Sequence, residues 1–181
     1  LKKGIIIELE GQPYAILDFQ HIKMGRGTAQ VRLKLRDIGG GHIIERTFQA
    51  GERFPSARLG HRSVQCLYHD GDLYYFMDTK DFEQFPLDAA LLGDAMNYFK
   101  DGVTLDLLIY KDRPIAVELP DTVDLRVVET GPAFKGDTAT GGSKPAVLET
   151  GITVQVPFFI TTGDLVRVDT RSGNYVTRVS G

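Results

Sequence analysis

Apolar and polar positions alternate along this 181-residue chain in short bursts, broken by glycine, proline and aspartate. That rhythm predicts strands and tight turns. The first third predicts strands over residues 5–9, 14–19 and 42–48, a turn over 10–13, and a glycine run at 39–41. Within it, residues 31–36 alternate strictly. Val31, Leu33 and Leu35 share one face, and Arg32, Lys34 and Arg36 share the other. Residues 51–62 are poor in apolar side chains and predict a connector. The second third predicts strands over 63–68, 73–78, 104–110 and 115–119, with turns at 70–72 and 111–114. Ala89, Leu92, Ala95, Met96 and Phe99 recur at helical spacing and predict one helix over 88–100, stopped by Asp101-Gly102. The final third predicts strands over 123–130, 146–149, 153–160, 165–169 and 175–179.

The implied fold class is all-β, organised as three small barrels over 1–57, 58–120 and 121–181. Five strands in about 60 residues fit a five-stranded barrel of the oligonucleotide/oligosaccharide-binding type for the last third. The middle third reads as the same fold with a short helix retained. A 57-residue first barrel is near the lower limit for a core that folds alone.

Bulk charge alters this picture only through its distribution. The chain carries net −3, but residues 1–57 carry +3, residues 58–120 carry −5 and residues 121–181 carry −1. A basic third on an acidic body repels a polyanion except where contact is wanted. A single cysteine, Cys66, excludes an intrachain disulfide framework and fits a reducing, cytoplasmic setting. No apolar run approaches the roughly 18 residues of a membrane span, so no membrane partner is expected.

The basic charge concentrates at Lys23-Met24-Gly25-Arg26-Gly27-Thr28 and the alternating run after it. Five basic residues and no acidic one lie between Lys23 and Arg36. Gly25 and Gly27 let the backbone turn and hold Arg26 at a tip. Arg32, Lys34 and Arg36 then stand ~7 Å apart along a strand face, a pitch that can follow a phosphate backbone. A solvated strand face is the ordinary alternative for the stripe alone. The loop Gly136-Asp137-Thr138 to Gly141-Gly142-Ser143 is glycine-rich but lacks the P-loop pattern. His21, His42, His61 and His69 show no metal-ligand spacing, and Cys66 sits in a strand where a packed thiol is expected. No catalytic, metal or cofactor constellation emerges, so an enzyme is not expected.

The residues as a whole resemble bacterial elongation factor P, and the resemblance spans essentially the whole chain. Its strongest part is residues 144–163, with Lys144, Ala146, Gly151, Val154, Val156, Pro157, Ile160 and Gly163 at the positions of the family's third-domain signature. Gly136-Asp137-Thr138, Phe76-Met77-Asp78, Phe82-Glu83-Gln84 and residues 169–175 match as well. The resemblance implies an L-shaped monomer, an SH3-like (KOW-like) barrel followed by two oligonucleotide-binding barrels. It implies a factor that binds the ribosome beside peptidyl-tRNA and rescues stalls at consecutive prolines. Arg26 would reach the acceptor end of peptidyl-tRNA, with Lys23, Gly25, Gly27, Arg32, Lys34 and Arg36 contacting tRNA or rRNA. Gly136, Asp137 and Thr138 would face the exit-site codon, and Arg171 and Tyr175 the small subunit. Many members carry a modifiable lysine at the tip, where this chain has Arg26. The arginine is expected either to be rhamnosylated by an arginine-modifying enzyme or to work unmodified. An elongation factor P-like paralogue and a free-standing RNA-binding protein are the alternatives. The intact Gly136-Asp137-Thr138 loop speaks against the paralogue.

Overall fold

A computed structural model describes residues 1–23, 25–132 and 142–179. Strands dominate it, in three sheets. Packing gathers the chain into two compact units, Leu1–Arg62 with Leu107–Ala116, and Ser63–Asp106 with Val117–Gly181.

The first sheet runs in the order β1-β2-β3-β4, with β1 (Ile6–Leu9), β2 (Gln12–Ile22), β3 (Gln30–Asp37) and β4 (Ile43–Gln49). Glu10 and Gly11 both adopt positive φ, 53° and 77°. Two such residues form the hairpin turn whose twist matches the flanking strands. The strand therefore resumes at Gln12, and Pro13, expected in the turn, is buried inside β2. The alternation of residues 31–36 is realised: Val31, Leu33 and Leu35 are buried and Arg32, Lys34 and Arg36 exposed. Ile7 and Ile16 complete this core, with the Phe48 and Phe54 rings meeting edge to face at 4.7 Å. The hairpin tip at Tyr110 and Lys111 belongs to the same unit. The Tyr110 hydroxyl donates to the Glu8 carboxylate, and Lys111 Nζ lies 3.1 Å from Glu8 Oε1. Those donors, Tyr110 first, hold the Glu8 carboxyl below the usual range.

The second sheet runs β7-β6-β5-β8-β9, from β5 (Gly60–Asp70), β6 (Leu73–Asp78), β7 (Gln84–Asp88), β8 (Thr104–Tyr110) and β9 (Arg113–Glu118). Three sequence expectations change here. The expected connector ends early, because Gly60, His61 and Arg62 already belong to β5. Residues 84–88, given no element by the pattern, form β7. The expected helix over 88–100 contracts to α1 (Ala89–Leu92) and a 3-10 turn, Gly93–Asn97. Gly93 takes φ 52° and ψ −135°, a conformation open almost only to glycine, and this ends the α-helix after one turn. Leu92 and Phe99 are nonetheless buried, so the apolar spacing reported the buried side correctly and the length wrongly.

The third sheet runs β12-β11-β10-β13-β14, from β10 (Thr122–Thr130), β11 (Ser143–Leu148), β12 (Thr153–Pro157), β13 (Leu165–Asp169) and β14 (Tyr175–Val179). Its strand order repeats that of the second sheet: the first strand is central, the second and third lie on one side, the fourth and fifth on the other. Each central strand is bulged, between Cys66 and Tyr68 in β5 and between Val127 and Glu129 in β10. A bulge bends a strand and raises its twist, as the central strand of such a sheet requires. Leu125, Val127, Leu148, Val156, Ile160, Val166 and Val168 form the core of this sheet.

Candidate nucleic-acid interface

Strands β2 and β3 pair up to Ile22 and Gln30, and Lys23 and residues 25–29 lie in the connection between them. Lys23, Gly25, Arg26 and Gly27 are all exposed, and Gly25 has a positive φ of 41°. The chain thus turns on a glycine immediately before Arg26. Below this tip, the exposed face of β3 rests on three wholly or almost wholly buried side chains, which hold it rigid.

The stripe is less uniform than the sequence expects. Arg32 is flanked across the sheet by Gln20 and Thr47, and Arg36 by Ala15 and Ile43. Lys34 is flanked by Asp18 and Glu45. Directly opposed side chains on one sheet face lie close enough to interact. Asp18 also holds Lys3 at 2.9 Å. Lys3 first, then the Phe19 N–H, keeps the Asp18 carboxyl below its ordinary range, and the charge of Lys34 adds to this. Lys34 therefore sits in a locally balanced cluster between two uncompensated arginines. Among the described residues none gives a carboxylate to Arg26, Arg32 or Arg36.

Among the described residues, the arginines of the last third all have partners within the fold. Arg171 pairs with Asp121, Arg167 grips Asp124 through two bonds of 2.7 and 3.0 Å, and Arg178 lies 3.8 Å from Asp164. Arg126 donates to the Gly163 carbonyl at 2.8 Å. Tyr175 is half-buried against the third core, and burial pushes its phenol up. The Asp169 carboxylate accepts the Ser172 and Arg171 N–H groups, which shape the turn before it and hold that carboxyl low. Arg171 is thus exposed but paired, and Tyr175 is anchored. Gly136, Asp137 and Thr138 lie outside the described residues. At the foot of their segment, Lys144 is almost fully buried and donates to the Gly131 carbonyl at 2.5 Å. A motif position noted in the sequence without a role is therefore a structural tether. Only its place in phase with the buried alternation, two residues before Ala146 and four before Leu148, could have signalled that it points inward.

Cys66 is wholly buried, and burial first, then the charge of Asp101, pushes its thiol up to about 11. Such a thiol is no nucleophile at neutral pH. No helix among the described residues is long and apolar enough to cross a membrane.

Family models cover the chain in three parts. The elongation factor P KOW-like domain matches residues 1–54, the elongation factor P OB domain residues 59–117, and the elongation factor P C-terminal domain residues 123–178. Elongation factor P of Carboxydothermus hydrogenoformans is 52% identical over 178 residues, covering 98% of this chain and 96% of the relative. That of Pelotomaculum thermopropionicum is 51% identical with the same coverage. Among solved structures, translation initiation factor 5A from Methanococcus jannaschii aligns with a TM-score of 0.50 at 20% identity. The alignment covers 66% of this chain and 86% of that one, a likeness of fold. With family domains matched along its length and half its residues shared with full-length relatives, the chain belongs to the elongation factor P family and is a translation elongation factor.

Proposed function

We propose that this factor acts beside peptidyl-tRNA on the cytoplasmic ribosome and stimulates peptide-bond formation at consecutive prolines, with Arg26 as its working tip. The observation that carries this reading is the exposed, glycine-flanked Arg26 on a hairpin whose inner face is fully packed. Arg32 and Arg36 supply the uncompensated charge that draws the hairpin to RNA. In the same reading the modules are residues 1–57, 58–120 and 121–181, and Gly136, Asp137 and Thr138 serve the exit-site side. Arg171 and Tyr175 contact RNA toward the small subunit, Arg171 from an exposed turn and Tyr175 from a position packed on the third core.

Proline is a poor nucleophile and distorts the nascent chain, which leaves the peptidyl-tRNA badly placed. A factor that restrains the tRNA lowers the positioning part of the barrier, while the ribosome performs the chemistry. About 1.4 kcal/mol of restraint is worth tenfold in rate. A guanidinium suits the task, because its planar fork can hold a phosphate through two bonds or stack on a base.

The test is tripeptide formation on ribosomes stalled at consecutive prolines, with protein from its native source. Acceleration that Arg26→Ala abolishes, with the fold intact, is the expected result. No acceleration despite ribosome binding would overturn the proline reading. Full activity of Arg26→Ala would overturn the tip. Peptide mass analysis of the same material decides whether Arg26 carries a sugar.

A further inference from the structure

The outward face of the β5-β6-β7 sheet carries a second recognition surface, legible from its register. Tyr68 lies opposite Tyr75, and Tyr75 opposite Pro86, making one row across three strands. The two tyrosine rings stack at 4.6 Å with an interplanar angle of 18°. In the next row, Asp70 lies opposite Leu73 and Leu73 opposite Asp88. On the other side, Gln65, Met77 and Gln84 form a third row. The opposite face of the same strands is core, with Cys66 and Phe76 wholly buried and Leu87 nearly so. Most of the outward grid stays open: Tyr68 is 51% and Leu73 39% exposed, Asp70, Gln84, Pro86 and Asp88 are exposed, and Tyr75, Gln65 and Met77 are half-buried.

We propose that this grid is a docking surface for a basic segment of a ribosomal protein, which lays an arginine on the stacked Tyr68–Tyr75 pair. The chemistry of the three rows converges on that occupant. A stacked aromatic pair offers a π face to a guanidinium. Asp70 and Asp88 stand one row away, roughly 10 Å apart across two strand spacings. Each can therefore take a separate cationic side chain of one extended segment. Residues 58–120, which contain the grid, carry net −5, so the surrounding field attracts the same partner. A nucleic acid could stack its bases on the tyrosines, but its phosphates would meet both carboxylates. Proteins embedded in RNA are rich in lysine and arginine because they neutralise phosphate, and so supply segments of the required kind.

This inference rests on the ribosomal reading above, and its test keeps the two apart. Tyr68 is replaced by the photoreactive aromatic p-benzoylphenylalanine, and the full-length protein is irradiated with 70S ribosomes. Mass analysis then identifies the adduct. The expected product is one ribosomal-protein peptide that contains arginine. In parallel, co-sedimentation compares the unaltered protein with Asp70→Asn/Asp88→Asn and with Tyr68→Ala. The double asparagine variant keeps side-chain shape at exposed positions, and a thermal melt confirms its fold. Its ribosome affinity is expected to fall about tenfold at low salt, the sum of two exposed ion pairs, and that of Tyr68→Ala by about threefold. An adduct to rRNA alone, or unchanged binding by folded variants, overturns this surface while leaving the ribosomal reading intact. Failure of the unaltered protein to sediment with ribosomes overturns both.

Discussion

Replacing Arg32, Lys34 and Arg36 one at a time by alanine separates cations that are free to meet phosphate from one that is already balanced. Each cation that binds a phosphate contributes roughly 0.7–0.9 to the slope of log affinity against log salt, through the counterions released. Arg32 and Arg36 face neutral neighbours, so Arg32→Ala or Arg36→Ala should each lower the slope by about that amount. Lys34 faces Asp18 and Glu45. If it turns to a phosphate, Asp18 keeps Lys3 but Glu45 must recruit a cation of its own, and little net release remains. Lys34→Ala should therefore lower the slope by roughly 0.3 or less. Glu45→Gln should act the opposite way, removing a carboxylate that repels phosphate beside Lys34 and tightening binding by about threefold at low salt, the scale of one exposed charge interaction. The assay is co-sedimentation with 70S ribosomes across a salt series. All of these side chains point away from the core, so melting temperatures should not move. A Lys34→Ala slope change equal to that of Arg32→Ala would refute the argument from register.

Other consequences are local to the folded units. Burial raises the Glu149 carboxyl, but the Arg126 N–H at 2.9 Å and Lys100 Nζ at 3.0 Å outweigh it and leave the group low. A carboxyl lowered by folding stabilises above its unfolded value near pH 4.3 and loses that contribution as pH falls through the folded value. Glu149→Gln should cost about 1 kcal/mol at pH 7 in denaturant titration, with the difference closing below pH 4. A gap that persists in acid would contradict this origin. Gly93→Ala meets no steric neighbour, so its expected cost of about 1–3 kcal/mol is backbone strain at φ 52° alone. Urea unfolding measures it, and a neutral result would refute the strained turn. Lys144→Met keeps the buried stem and should cost about 1 kcal/mol, whereas Lys144→Ala should cost about 2–3 kcal/mol. Equal losses would show that the bond to Gly131, not the packing, carries the effect.

Much of this protein was legible in its sequence, because strand periodicity is local. The alternation of residues 31–36 already separated Val31, Leu33 and Leu35 from the cationic face, and the glycines around Arg26 already marked a tip. Strands β6, β8, β13 and β14 coincide with their alternating runs. The family, too, was readable from residues 144–163. What the sequence could not decide was what each side chain meets across a sheet, since partners there are set by register between segments far apart in the chain. Lys34 and Glu45 are opposed only because β3 pairs with β4 in one particular alignment. Tyr68, Tyr75 and Pro86 form a row only because β5, β6 and β7 pair around a bulge. The helix over 88–100 failed for a related reason: spacing reports which side is buried, whereas the backbone angle at Gly93 determines how far the helix runs. Local pattern therefore determined the strands and the tip, and tertiary pairing decided which charges remain available to a partner.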